Sequence, residues 1–211
     1  IRERVELGLM ETCVALMPDN RIVGALSLFY DSPDARVAES GAAMVDPRCR
    51  GKSLFKEMKQ FLFAYGRQKG LYGIYSEAVT IHPYTQQGNL SLGAHETGML
   101  LSYVSENVAF KKIGSELMGQ RQSLILFYAR LNPEPARAVY TPARYADLLR
   151  QVYQKNGLNR ELLISDQYAT NLGQDTQLEI QVRHDAFNDA IIDLQRIGSD
   201  ALDVDAHAHG H

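Results

Sequence analysis

Arg48, Arg50 and Lys52 crowd a short turn, Arg48-Cys49-Arg50-Gly51-Lys52-Ser53, that stands directly before an amphipathic stretch. Cations gathered at a helix start suit one chemistry above others. The first backbone N–H groups of a helix have no partner within it, and its dipole places partial positive charge at that end. The pattern therefore predicts a phosphate or pyrophosphate site, with the helix beginning near Gly51 and led by Ser53. The bland reading of the same residues is an ordinary basic helix start. Cys49 has cationic neighbours that would favour its thiolate, but it reads better as a place where the backbone approaches a ligand. His207, His209 and His211, preceded by Asp203 and Asp205, alternate as metal ligands on a strand would. They form no closed ligand set and read as a polar terminus, so no metal site is assigned. The sequence holds no P-loop, no CxxC and no nucleophile triad.

The elements that must position the turn follow from periodicity. Leu54, Phe55, Met58, Phe61, Leu62 and Tyr65 fall on one helical face, and Lys69 with Gly70 supplies a stop signal. Upstream, a short helix at the start is followed by three strands: Leu9 to Met17, Arg21 to Tyr30 and Arg36 to Val45. Turns at Pro18-Asp19-Asn20 and Asp31-Ser32-Pro33-Asp34 separate them. Downstream come a strand at Leu71 to Thr80, a short helix within His82 to Ala94, and strands at Glu96 to Val104 and Gln122 to Leu131, the last two separated by a loop through Phe110, Ile113 and Met118. Strands followed by helix and strand give an α+β layout with a mixed, mostly antiparallel sheet flanked by helices.

Pro133-Glu134-Pro135 reads as a stiff exposed linker. A helix from Pro142 to Asn156 follows, with Thr141 as its cap and Pro142 in its first turn. Gln177 to Val182 and Ala190 to Ile197 read as two strands joined through His184 to Asn188, although the periodicity of the second also fits a helix. The expected division is residues 1–131 as one domain and 132–211 as linker plus a partial second α/β unit.

Composition narrows the partners. The chain has 211 residues, 45% hydrophobic and 22% charged, with net charge -3, which gives no general attraction to nucleic acid or to an anionic membrane surface. No segment approaches the roughly 20 apolar residues of a membrane span, and no secretory h-region opens the chain. Two cysteines, Cys13 and Cys49, suggest no disulfide framework, so a reducing cytoplasm is expected. The opening IRERVEL, without an initiator Met, suggests a piece of a longer protein.

Strand, Val45-Asp46-Pro47, basic turn and amphipathic helix together resemble the acyl-CoA-binding turn of the GNAT superfamily of N-acetyltransferases. That family's pattern is Q/R-x-x-G-x-G/A, matched here from Arg48 to Lys52, with Ser53 in the last place. The segment EAVTIHPYTQQGNLSLGAHETGMLLSYV, with AESGAAMVDPRCRG and Val139-Tyr140-Thr141-Pro142-Ala143-Arg144-Tyr145, further resembles a bacterial subgroup. In it, an acetyltransferase-like domain follows an anti-sigma-factor-type ATPase domain. The resemblance implies a GNAT fold lacking its first strand and most of its first helices here, an upstream ATPase-like domain, and a degenerate second GNAT-like half at the C-terminal end.

It also implies acetyl-CoA as co-substrate and an amine as acceptor, with no covalent intermediate. Met44, Val45, Arg48, Arg50, Gly51, Lys52, Ser53 and Leu54 would hold the cofactor. Glu39 and Glu77 are the carboxylates best placed to take the amine's proton, with His82 as a third candidate. Each has a bland alternative: a solvated or paired carboxylate, and a turn-capping histidine before Pro83. The family's tyrosine acid falls on Asn89, which cannot protonate a leaving thiolate and is assigned to the cofactor's surroundings instead. Tyr84 could donate only if it reached back into the cleft, so the acid is unassigned. Two readings stay open: an N-acetyltransferase, or a domain that senses acyl-CoA and regulates an attached partner.

Overall fold

The computed structural model describes residues 1–106, 120–164, 175–183, 189–196 and 198. Helix α1 (Arg2–Glu6) leads into strands β1 (Met10–Leu16), β2 (Ile22–Phe29) and β3 (Val37–Val45). A single 3-10 turn (Pro47–Cys49) precedes helix α2 (Leu54–Lys69), and strand β4 (Gly73–Val79), helix α3 (Tyr84–Ser91), strand β5 (His95–Val104) and strand β6 (Gln122–Arg130) complete the main body. Among the described residues these six strands form one sheet in the order β1-β2-β3-β4-β6-β5. Every neighbouring pair is antiparallel except β3 with β4, which α2 joins as a crossover.

Alternation along the strands sorts their side chains. Leu26, Leu28, Ala38, Ile74, Ala78, Phe127 and Ala129 face the helices and pack with Met58, Leu62 and Phe63 of α2. The buried stripe of α2 is turned from the one expected. Phe63 is 4% exposed and Lys59 1%, whereas Phe61 is 60% exposed. Phe55, Lys59, Leu62, Phe63 and Gly66 make the better i, i+4, i+7, i+8, i+11 series, and the lysine in its middle hid it. At Gly66 an added Cβ would lie 2.8 Å from the Leu131 side chain, so the helix packs there through bare backbone.

Beyond the main body, two further strands flank the expected helix. Residues 137–141, Arg137–Thr141, form strand β7, parallel to β8 (Arg160–Ile164), with helix α4 (Ala143–Lys155) between them. Neither strand was legible from the sequence. Thr141 belongs to β7 and does not cap α4: its hydroxyl donates to the Pro142 carbonyl (3.2 Å), and Pro142 itself is the N-cap. Pro133-Glu134-Pro135 is no free spacer, because the Glu134 carboxylate pairs with the Arg160 guanidinium at 2.9 Å and both side chains are largely buried. Strands β9 (Gln177–Arg183) and β10 (Asp189–Arg196) pair as an antiparallel hairpin, which settles the second of them as a strand. The loop through Phe110, Ile113 and Met118, the His184 to Asn188 connection and the terminal His207, His209 and His211 lie outside the described residues.

Candidate functional site

The sheet is divided along its middle. β3 and β4 register at Val37 with Gly73, Ala38 with Ile74 and Glu39 with Tyr75, and at no residue beyond. Past that point β3 continues with β2 as far as Val45, and β4 with β6 as far as Val79. The two strands therefore part, and past Glu39 and Tyr75 their facing backbone edges do not pair with each other. A bulge in β3 lies beside the opening. Met44 stands opposite Ala25 and Gly41 opposite Ser27, so Ala42 and Ala43 together face Leu26, and Ala42 takes a φ of +51°. Ala42, Ala43 and Met44 are exposed, Met44 at 65%.

The basic turn lies at the mouth of this opening. Asp46 caps the 3-10 turn by accepting from the Arg48 N–H (2.9 Å), and the Arg48 guanidinium folds back on the same carboxylate at 3.1 and 2.7 Å. These bonds hold the Asp46 carboxyl down at about 2. Arg48 is thus a partner of Asp46, and Arg50 and Lys52 are the exposed cations of the turn without an ion-pair partner among the described residues.

The helix starts later than expected, at Leu54, because Gly51 (φ +76°) and Ser53 (φ +59°) both occupy left-handed conformations that a right-handed helix cannot include. The first internal bond runs from Glu57 N–H to the Ser53 carbonyl (3.0 Å), so the amides of Leu54, Phe55 and Lys56 have no partner inside the helix. The Ser53 hydroxyl does not cap them. A Cβ built on Gly51 would meet nothing within 4 Å, which leaves room for a bulky group.

Glu39, Tyr75 and Glu77 share the sheet face turned away from α2, beside the point where the strands part. Burial pushes both carboxyls above their ordinary values, and the Glu39 charge pushes Glu77 further. Arg4 opposes the rise at Glu39, whereas Asp31 adds to it. The Tyr75 hydroxyl is raised to about 12 by burial and by the same carboxylates. Two half-buried carboxyls that resist ionisation suit proton acceptance near neutral pH. His82 lies beyond the far end of β4, its proton affinity lowered by burial and its Nδ1 buried without a partner. Its ring stacks at 5.3 Å from that of Tyr84, which is exposed; no contact joins His82 to Glu39 or Glu77 among the described residues.

Behind the opening, on the helix side, sits a group that sequence reading missed. The Lys59 ammonium donates to the Ser76 hydroxyl (3.1 Å) and to Asn89 Oδ1, and Ser76 also donates to Asn89 Oδ1 (3.1 Å). Asn89 is fully enclosed at 0% exposure. The available signal was a lysine four residues from Phe55 and four from Phe63, on the stripe that the helix must bury.

A family model, that of the Acetyltransferase (GNAT) family, matches residues 6–88, which run from the end of α1 through the strand opening into α3. The fold of the main body is the GNAT acetyltransferase fold. Among solved structures, the ribosomal-protein-S18-alanine N-acetyltransferase of Escherichia coli is similar over 60% of this chain and 72% of its own, with a TM-score of 0.50 at 12% identity. The spermidine N-acetyltransferase of Vibrio cholerae, in complex with CoA and spermine, is similar over 62% of this chain and 70% of its own, with a TM-score of 0.50 at 18% identity. No curated protein sequence matches the chain significantly.

Proposed function

We propose that this chain is an N-acyltransferase that moves an acetyl group from acetyl-CoA to an amine by direct attack. The observation that carries this reading is the parting of β3 and β4 above a helix mouth with uncapped amides. Acetyl-CoA supplies the activated acyl group. Arg50, Lys52 and the amides of Leu54, Phe55 and Lys56 hold its pyrophosphate, with Gly51 leaving the approach clear and Ser53 leading the helix. Arg48 acts at one remove, fixing the turn through Asp46. The free edge of β3 at Met44 and Val45 receives the amide-bearing arm as a strand would receive a neighbour. Glu39 and Glu77 take the proton of the amine, and their raised affinity for protons suits them to it.

A second reading has its own observation. Asn89 cannot release a proton to a thiolate and is enclosed by Lys59 and Ser76. On that reading the domain is a cytoplasmic acyl-CoA sensor that acts on an ATPase-like domain of the same protein, with the unit beyond residue 131 as part of the relay. Calorimetry with acetyl-CoA tests both, since absence of heat at millimolar ligand ends both. Thiol release over a panel of amines then separates them: release supports the enzyme, and silence despite tight binding supports the sensor.

A further inference from the structure

We propose that Lys59 is the proton donor to the sulfur of the CoA thioester, standing beside Asn89 at the foot of the gap between β3 and β4. The inference rests on the acyl-CoA reading above and supplies the acid that the reading lacks. Three observations converge on this point in the fold. The first is a buried cation with neutral company. Lys59 is 1% exposed, and its partners are Ser76 Oγ and Asn89 Oδ1, with the rings of Phe55 and Phe63 at 5.7 and 6.0 Å. No carboxylate pairs with it among the described residues, although a buried ammonium ordinarily requires one.

The second is position. Ser76 is the first residue of β4 beyond its last pair with β3, so the ammonium is anchored where the strands begin to part. The third is a set of unanswered polar groups at the same level. Ser40, the first residue of β3 beyond that pair, has a buried hydroxyl without a partner, and Asn89 Nδ2 is buried without one. Structural networks are normally closed, and open ones in this setting point to a ligand that completes them.

The chemistry follows. Burial alone lowers the Lys59 proton affinity to about 8, so the group is charged at neutral pH yet gives up its proton readily. Ser76 of β4 and Asn89 of α3, the groups bonded to it, are neutral, while Glu39 and Glu77 lie on the opposite face of the sheet. As the amine nitrogen bonds to the carbonyl carbon, the carbon–sulfur bond breaks and its electron pair passes to sulfur. Lys59 Nζ gives that sulfur a proton, and Glu39 or Glu77 accepts the surplus proton of the amine. Solvent then returns a proton to Lys59 and takes one from the carboxyl, so amine and thioester become amide and thiol with nothing left over. Asn89 orients the ammonium through Oδ1.

The test compares CoA with desulfo-CoA, which lacks only the sulfur. By calorimetry the wild type should prefer CoA about tenfold, the contribution of one charge-assisted hydrogen bond. Lys59→Met and Lys59→Gln should abolish the preference while binding desulfo-CoA as the wild type does; Gln can still donate to Asn89 and Ser76, which protects the fold. In the wild type itself, CoA should raise the midpoint of the Lys59 titration followed by NMR, and desulfo-CoA should leave it unmoved. With an accepting amine, both variants should lose turnover by about a hundredfold at unchanged KM for acetyl-CoA, together with the alkaline fall in rate near pH 8. A preference retained in the variants, or a Lys59 midpoint indifferent to the sulfur, overturns the Lys59 assignment and leaves acyl-CoA binding standing. If the wild type binds neither compound, the acyl-CoA reading falls and Lys59 with it.

Discussion

The two ends of α2 are finished in opposite ways. At the C-terminal end the chain satisfies itself: Gly70 N–H bonds to the Arg67 carbonyl (3.0 Å) and Leu71 N–H to the Gly66 carbonyl (2.9 Å). Asn132 Nδ2 donates to the carbonyls of Arg67 (3.2 Å) and Leu71 (2.7 Å). Glu11 of β1 accepts from the Tyr65 hydroxyl (2.7 Å) and Lys69 (2.9 Å), and from Tyr30 as well, while the Lys69 ammonium rests 4.2 Å above the Tyr30 ring. At the N-terminal end no side chain caps the first amides, the lead-in is left-handed, and Arg50 and Lys52 stand exposed. A helix that can be closed so thoroughly at one end is not left open at the other for want of polar residues. The contrast is between an end that the chain itself satisfies and an end whose first amides no side chain caps.

The largest expected effect comes from breaking the closed end. Glu11→Ala removes the acceptor of three donors and should cost about 2 kcal/mol of stability in denaturant melts, with acetyl-CoA affinity unchanged. The same site sets a pH window. Burial raises the Glu11 carboxyl, but the bonds from Lys69, Tyr30 and Tyr65 outweigh it and leave the group below its ordinary 4.5. A lowered carboxyl stabilises the fold above its unfolded value, so this contribution should be present at pH 6 and fade as pH falls below about 4.5 through the lower folded value. Glu11→Gln should flatten that acid limb; an unaltered limb would place the acid sensitivity elsewhere.

Reversing a charge at the open end comes next. Arg50→Glu should weaken acetyl-CoA by about tenfold in calorimetry, the loss of a charge-assisted contact, and leave the melting temperature in place. Affinity equal to the wild type would move the phosphates away from this mouth. Ser53→Gly should stabilise the chain by about 1 kcal/mol, since a side chain in the left-handed region is strained and glycine is not. A loss of stability there would mean that the hydroxyl does something the geometry does not reveal. The smallest effect is expected at Glu77→Gln. A carboxyl whose folded value is raised weakens the fold once pH exceeds its unfolded value, so the amide should give a slightly higher melting temperature at pH 7 and none at pH 3. If the pair also serves as base, turnover should fall in the same variant.

Local rules made the first half of the chain legible. Alternation, turn residues and the Lys69-Gly70 stop located β1 to β4 and both ends of the crossover within a few residues, because each signal is carried by neighbours in sequence. Contacts between distant residues were not legible. Arg48 looks like one more phosphate ligand until Asp46, two residues back, is seen to claim it. Lys59 passes unmarked because its hydrogen-bond partners, Ser76 and Asn89, stand 17 and 30 residues away. Residues 137–141 and 160–164 make short strands whose only justification is each other, and Glu134 looks like linker until Arg160 is placed against it. The turn and the carboxylates were therefore singled out from sequence as candidates, and the buried cluster behind them was not.

The bifurcating strands bear on how the molecule holds itself together. Its sheet is two three-stranded ribbons, β1-β2-β3 and β4-β6-β5, stitched by a seam only three residue pairs long and spanned by α2. A guest lying in the unstitched length would act as a zip fastener, lending the host amide bonds that the polypeptide omitted. Deuterium uptake along Ser40–Val45 and Ser76–Val79 should accordingly slow on binding far more than uptake in β1 or β5, marking the ligand as a temporary seventh strand of the sheet.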